Sequence, residues 1–420
     1  MSKLIKILTG NHAAAWACKG AKVGVVAAYP ITPQSPVVEE ISRLVEAGEM
    51  GNTQFITVES EQSAITAVIA ASATGSRVFT ASSANGLAYM FELLNWAAGN
   101  RLPVVMNIVT RALAAPWNVW CDHQDAISVR DCGWIQIFCE DNQEIYDTNL
   151  MAFRIAEDPR LYIPTFVCYD GYIISHTVAP VQIESDEDIA AFIPPLRHHI
   201  NITDFDDVKG MSPVTTPDMI VRAEGVYPGY MEFRYSLQKA LESSIEIIKE
   251  VHKEFEQKFG RSYGNGVLKT YRSEDAKILV VGMGSISCEL RGVVDRLREE
   301  QIPIGLITIR LFSPFPKLDV IEAIGDAKSV IVFDRDVGYG FEGVLSYEIK
   351  ATLYNSGKNP YVKGFIVGLG GRDVKPEDLE FGIRKAMEEA NKKPYQVETE
   401  FLGTKVKEIE QLEENGVCLK

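Results

Sequence analysis

Through the first two hundred residues, short apolar runs alternate with stretches of helical composition. Residues 23–28, 55–58, 77–80, 103–109, 134–138 and 162–169 read as strands, bounded by turn formers. Residues 36–45, 62–73 and 87–98 read as helices between them. Loops from successive strands reaching one edge follow the βα logic of a parallel sheet with helices on both faces. The run 55–58 predicts a buried strand. The helix 62–73, almost wholly Ala, Ile, Val, Ser and Thr, is expected to be buried nearly all round.

From Thr177 to about Tyr227 the alternation dissolves. Pro180, Pro194, Pro195, Pro213 and Pro217, with an acidic run at 184–188, predict an irregular connector. Tyr230–Phe259 then reads as one long helix carrying Glu246, Lys249, Glu250, Lys253 and Glu254, a solvated bridge between two units. A second α/β unit starts at Asp275, with strands at 277–281, 304–309, 329–333 and 361–367. Its helices follow Ser285 and occupy 376–391. The chain therefore divides into an α/β domain at 1–205, a connector with the long helix at 206–270, a second α/β domain at 271–395 and a polar tail at 396–420. The tail is expected to wrap a neighbour or fray.

The 420 residues suffice for two or three domains, and 46% hydrophobic content is ordinary for full cores. A formal charge of −15 argues against nucleic acid and against anionic membrane surfaces. The first residues lack the apolar run and cleavage site of a signal peptide, and no apolar stretch reaches membrane-span length, so a cytoplasmic chain is expected. Cysteines at 18, 121, 132, 139, 168, 288 and 418 form no Cys-x-x-Cys pair, so neither an iron–sulfur cluster nor any other metal site is expected in the chain. Cys132 reads as core filler.

Candidate chemistry gathers at the carboxyl ends of the first strands, where open α/β sheets bind ligands. Pro30, Pro33 and Pro36 stiffen Tyr29-Pro30-Ile31-Thr32-Pro33-Gln34-Ser35-Pro36 and hold the Thr32 hydroxyl at a fixed point. Ser35 and Pro36 suit the N-cap and first position of the next helix. Glu59 and Glu61 stand at a strand-to-helix junction, where partial desolvation should raise a carboxylate pKa. The alternative is an acid that only complements the helix dipole. Ala81-Ser82-Ser83-Ala84-Asn85-Gly86 is small enough for a backbone to approach a ligand closely. Arg111 is the only Lys or Arg between Arg101 and Arg130, a candidate for bidentate binding of a substrate carboxylate. A structural ion pair with Asp122 or Asp125 is its alternative. The segment from Trp117 to Asp125, with Asp122 and His123, reads as a site wall or subunit contact. Gly282-Met283-Gly284-Ser285 precedes a helix and can bind an anion there, but lacks the remainder of a phosphate motif.

Four motifs in one order, Tyr29-Pro30-Ile31-Thr32-Pro33, Glu59-Ser60-Glu61-Gln62-Ser63-Ala64, Thr110-Arg111-Ala112 and Asp122-His123-Gln124-Asp125, resemble the alpha subunits of pyruvate:ferredoxin oxidoreductases, within the 2-oxoacid:ferredoxin oxidoreductase family. The resemblance covers about residues 5–395. It implies a thiamine diphosphate pyrimidine-type parallel-sheet domain at 1–205 and a transketolase C-terminal-like α/β domain at 271–395. It implies that Glu61 is catalytic, hydrogen-bonding N1′ of the cofactor's aminopyrimidine, whose tautomer then takes a proton from the thiazolium carbon. Tyr29, Pro30, Ile31 and Gly86 would also touch the cofactor, which serves as electron sink. Thr32 and Arg111 would orient the substrate oxygen and carboxylate. Asn85 stands where a glutamine is usual in the family.

The implied reaction is reversible oxidative decarboxylation of pyruvate to acetyl-CoA and carbon dioxide, with coenzyme A as co-substrate and ferredoxin as acceptor. Other 2-oxoacids (2-oxoisovalerate, 2-oxoglutarate, oxalate) or a non-catalytic role in docking an electron carrier are alternatives. A single cation, Arg111, suits a monocarboxylate, since a dicarboxylate calls for a second cation near Thr32. The chain shows no Gly-Asp-Gly pattern for magnesium and diphosphate and no cluster-binding cysteines. Magnesium and the 4Fe-4S clusters are therefore expected on partners: a beta subunit for the diphosphate site, and gamma and delta subunits for clusters and coupling.

Overall fold

The computed structural model of the chain describes residues 4–196, 217–218, 220–222, 225–227, 229–392, 399–406, 409 and 411. Val78–Ser82, Val104–Thr110 and Thr165–Asp170 are buried along their whole length, as strands covered by helices on both faces must be. They form the middle of a seven-stranded sheet, ordered Leu311–Ser313, Ile135–Phe138, Thr165–Asp170, Val104–Thr110, Val78–Ser82, Val25–Ala28, Gln54–Thr57. Every pairing in it is parallel except that of Leu311–Ser313. From Val25–Ala28 the chain runs outward to Gln54–Thr57 and then returns to Val78–Ser82 on the other side. The ends of Val25–Ala28 and Val78–Ser82 thus flank a topological switch point, the place where such sheets open a crevice.

The strand Gln54–Thr57 is not buried. It is the sheet edge, paired only with Val25–Ala28, and most of it is exposed. The helix Glu61–Ala73 buries Ala64, Ile65, Val68, Ser72 and Ala73, yet leaves Thr66 and Ala70 exposed. The helix is thus not buried all round as its composition predicts, because this chain provides cover for one face only. The helix expected over 87–98 is two, Ala84–Tyr89 and Phe91–Gly99.

The connector is more ordered than its prolines imply. Val178–Ile183 pairs antiparallel with Leu4–Thr9. The acidic run opens the helix Asp186–Phe192, whose N-cap Ser185 accepts the Asp188 N–H at 3.1 Å. The middle of that predicted connector lies outside the described residues, as does most of the predicted tail. One piece of the tail, Glu400–Phe401, adds a strand beside Tyr361–Ile366, where Glu400 meets Lys363 and Lys385.

The second sheet runs Leu268–Tyr271, Ile304–Ile309, Ile278–Met283, Ser329–Asp334, Tyr361–Ile366, Glu400–Phe401, parallel apart from its first strand. Immediately after Ile304–Ile309, Leu311–Ser313 crosses to pair with Ile135–Phe138 of the first sheet. The long helix Tyr230–Phe259 is solvated on one face only. Leu237, Leu241, Ile248, Val251 and Phe255 are buried in the core.

Candidate active site

The loops at the switch point are held from below. Asn11 donates its side-chain N–H to the Pro33 carbonyl at 2.9 Å, and Tyr169 donates its hydroxyl to Asn11 at 3.0 Å. Both polar side chains lie under the loop with full burial, which fixes Tyr29 to Pro33 over the sheet. Tyr29 and Ile31 are half-buried, while Pro30 and Thr32 are exposed. The N-cap position of Ser35–Glu46 falls to Gln34, one residue before the expected Ser35. Its side-chain oxygen turns back to accept the Ile31 N–H at 3.3 Å.

Glu61 sits in the first turn of its helix, directly after the N-cap Ser60, whose hydroxyl accepts the Ser63 N–H at 3.1 Å. The cap sets the backbone angle from which Glu61 projects. The Glu61 carboxylate accepts no hydrogen bond from the described residues. Gly86 lies against it: a Cβ there would stand 2.6 Å from Glu61 Oε1 and 2.7 Å from Ser82 Oγ. Only a residue without a side chain lets Ala84–Tyr89 approach that closely. Ser82 Oγ is itself buried without a partner among the described residues. An unpaired carboxylate and an orphaned hydroxyl over a glycine make a cradle that suits a planar, hydrogen-bonding ring such as an aminopyrimidine.

Glu59 behaves otherwise. It is exposed and accepts the Ser63 hydroxyl at 2.7 Å, a bond that holds its carboxyl below the usual value. The desolvation expected at this junction does not reach Glu59, because the edge strand leaves it in solvent.

Arg111 is 3% exposed. Its Nη1 donates to the Thr32 carbonyl at 2.8 Å and its Nε to the Asn118 carbonyl at 3.1 Å. The Trp117 ring lies 5.3 Å from the guanidinium carbon. Neither expected acid pairs with the side chain. Asp122 accepts N–H groups from Gln124 and Gly370, and Asp125 accepts the backbone N–H of Arg111 at 3.0 Å. Burial draws the guanidinium pKa down, yet arginine stays charged in proteins. The outcome is a buried cation, fixed by neutral carbonyls, with Nη2 left without a partner among the described residues. Such a charge is costly unless an anion joins it.

Asp122 and His123 are buried at the junction with the second sheet, against Gly370 and Gly284. His123 Nε2 lies 2.7 Å from Asp170 Oδ1, while Arg335 donates to Asp170 Oδ2 at 2.8 Å. Ser285 donates both its N–H, at 3.1 Å, and its hydroxyl to that second oxygen. Burial disfavours the charged form of Asp170, but His123, Arg335 and Ser285 together outweigh it and hold the carboxyl well below the usual range. The Gly284-Ser285 turn thus receives an internal carboxylate where the sequence pointed to a bound anion. At Gly284, with φ +70°, a Cβ would stand 3.1 Å from Asp170 and from His123. Of the residues read from sequence, the structure brings together Thr32 with Arg111, and Glu61 with Gly86. Sequence reasoning missed Ser82, Asn118 and the bridging use of Asp125, whose spacing carries no signal of its own.

Residues 16–253, more than half of the chain, match the family model described as pyruvate flavodoxin/ferredoxin oxidoreductase, thiamine diphosphate-binding, and residues 276–379 match pyruvate:ferredoxin oxidoreductase core domain II. The ketoisovalerate oxidoreductase subunit VorA of Pyrococcus horikoshii is 45% identical over 374 residues, covering 89% of this chain and 91% of that one. The pyruvate synthase subunit PorA of Methanocaldococcus jannaschii is 44% identical over 376 residues, covering 89% and 93%. Among solved structures, a 2-oxoglutarate:ferredoxin oxidoreductase from Magnetococcus marinus superposes with a TM-score of 0.69 at 19% identity, a likeness of fold. The match covers 91% of this chain but only 65% of that longer one.

Proposed function

The chain belongs to the 2-oxoacid:ferredoxin oxidoreductase family, as an alpha-type subunit, and from that premise we propose that it carries half of a thiamine diphosphate site whose preferred substrate is pyruvate. The reaction is the reversible oxidative decarboxylation of pyruvate to acetyl-CoA and carbon dioxide, with ferredoxin as acceptor and coenzyme A as co-substrate. The observation that carries this reading is the buried guanidinium of Arg111, held against the Thr32 loop with no acid paired directly to it among the described residues.

Each residue then has a task. Arg111 binds the substrate carboxylate with the part of its fork that no protein group occupies. The Thr32 hydroxyl, exposed at the crevice, orients the 2-oxo oxygen. Glu61 holds or releases a proton at its carboxyl toward N1′ of the aminopyrimidine, and Gly86 leaves the room for that contact. Tyr29, Pro30 and Ile31 form the stiff flank. Thiamine diphosphate, when bound, supplies the electron sink for the pair left by the departing carboxylate.

Magnesium and the diphosphate belong on a beta subunit, and the 4Fe-4S clusters on delta and gamma subunits. The relatives are themselves named as subunits. On the edge strand and on the helices after Ser82 this chain exposes Ile56, Tyr89, Phe91 and Trp96, large apolar side chains of the kind that protein partners cover. A scaffold that only docks an electron carrier has no use for a buried arginine charge. No helix among the described residues is long and apolar enough to cross a membrane.

Relatives named for pyruvate and for ketoisovalerate are almost equally similar, so substrate choice rests on the site. Among the described residues only Arg111 reaches Thr32 with a cation, which favours a monocarboxylate. On the co-expressed complex, viologen reduction with coenzyme A under anaerobic conditions should favour pyruvate over 2-oxoglutarate and oxalate by about 100-fold in kcat/KM. A second carboxylate buried without a partner costs about 3 kcal/mol. Faster turnover of 2-oxoisovalerate would move the assignment to the branched monocarboxylate, and a preference for 2-oxoglutarate would overturn the argument from charge.

A further inference from the structure

The short helix Ala84–Tyr89, which follows Val78–Ser82, carries Gly86, which abuts Glu61, and the loop after Val104–Thr110 carries Arg111. One buried carboxylate joins them. Asp125 Oδ2 accepts the Ala84 N–H at 2.7 Å and the Arg111 N–H at 3.0 Å, while Oδ1 accepts the Ala126 N–H at 2.7 Å. Ala84 has φ +45°, a left-handed conformation that a residue with a Cβ keeps only where its surroundings impose it. Two lesser struts run between the same two segments. Ser83 donates its hydroxyl to the Val109 carbonyl at 2.7 Å, and Asn85 accepts the Ala114 N–H at 3.1 Å. Among the described residues only Asp125 grips both backbones at once. Burial pushes its carboxyl up to about 8 against the pull of these donors, a costly placement for a group that packing alone does not need.

We propose that Asp125 is a positioning residue that locks the Arg111 loop and the start of the Gly86 helix into one frame, so that the substrate anchor and the Glu61 contact keep a fixed separation. This rests on the roles proposed above for Arg111 and Glu61. Asp125 touches neither substrate nor cofactor. It acts through two backbone N–H groups, which is why its effect should divide between binding and turnover.

The test compares Asp125→Ala and Asp125→Asn in the assembled complex, with Arg111→Lys measured beside them. Asp125→Ala should raise the KM for pyruvate about tenfold and lower kcat about as much, because both ends of the site lose their common reference. Asp125→Asn should recover most of both constants, since the amide oxygen can still accept the Ala84 and Arg111 N–H groups, although the amide nitrogen cannot accept that of Ala126. A parental KM in Asp125→Ala, with only the melting temperature or the active fraction lowered, would overturn the proposal. If Arg111→Lys also leaves KM unchanged, the anchor reading itself fails. A raised KM in Arg111→Lys alone rejects only the role of Asp125. Should Asp125→Ala not assemble, hydrogen exchange in the parental complex decides. Amides of Ala84 and Arg111 exchanging as slowly as those of Val104–Thr110 support the clamp, and exchange at the rate of an open loop rejects it.

Discussion

Glu61→Gln should lower turnover of the assembled complex by roughly 10²–10⁴ while leaving assembly intact, the range that general acid–base help contributes. The substitution keeps size and shape, so the helix Glu61–Ala73 and its Ser60 cap are undisturbed. The amide can still contact a ring nitrogen but cannot trade a proton with it. Glu61 is half-buried and accepts no hydrogen bond from the described residues, so no internal pair is broken and stability should barely change. Glu59 is no substitute, because it faces solvent and is engaged by the Ser63 hydroxyl. Steady-state kinetics at saturating pyruvate decides the matter, and turnover within a few-fold of the parent would remove Glu61 from the reaction.

Arg111→Lys should raise the KM for pyruvate by roughly 10- to 100-fold while the fold survives. A hydrogen bond to a charged group contributes ~1.5–3 kcal/mol, and each tenfold corresponds to about 1.4 kcal/mol. Lysine keeps the charge but not the planar fork. It cannot hold the Thr32 and Asn118 carbonyls and still present two parallel donors to a carboxylate. Turnover at saturation should fall as well, because a loosely held carboxylate reacts from poor geometry. A purely structural arginine would give the reverse, a lower melting temperature with an unchanged KM.

Much of the candidate site was legible in the sequence. The three prolines around Thr32 marked a stiff loop, and the isolation of Arg111 marked a charge with no local partner. The alternation of strand and helix placed both at a sheet's carboxyl edge. What could not be read was contact between distant segments. His123 and the Gly284-Ser285 turn each have the composition of a ligand site. Their common partner, Asp170, lies 47 residues from His123 and 115 from Ser285. The exposure of Gln54–Thr57 was hidden for another reason: apolar composition says that a surface needs cover, not which chain provides it. Leu311–Ser313 joining the first sheet is equally non-local, a three-residue strand whose partner Ile135–Phe138 belongs to the other half of the chain.

The most direct test of a divided thiamine site is calorimetry of thiamine diphosphate with magnesium, on the isolated chain and on the co-expressed complex. The account predicts tight, magnesium-dependent binding by the complex and weak or no binding by the chain alone, because it assigns the diphosphate site to a partner subunit. Tight binding to the isolated chain, or none by an intact complex, would contradict it.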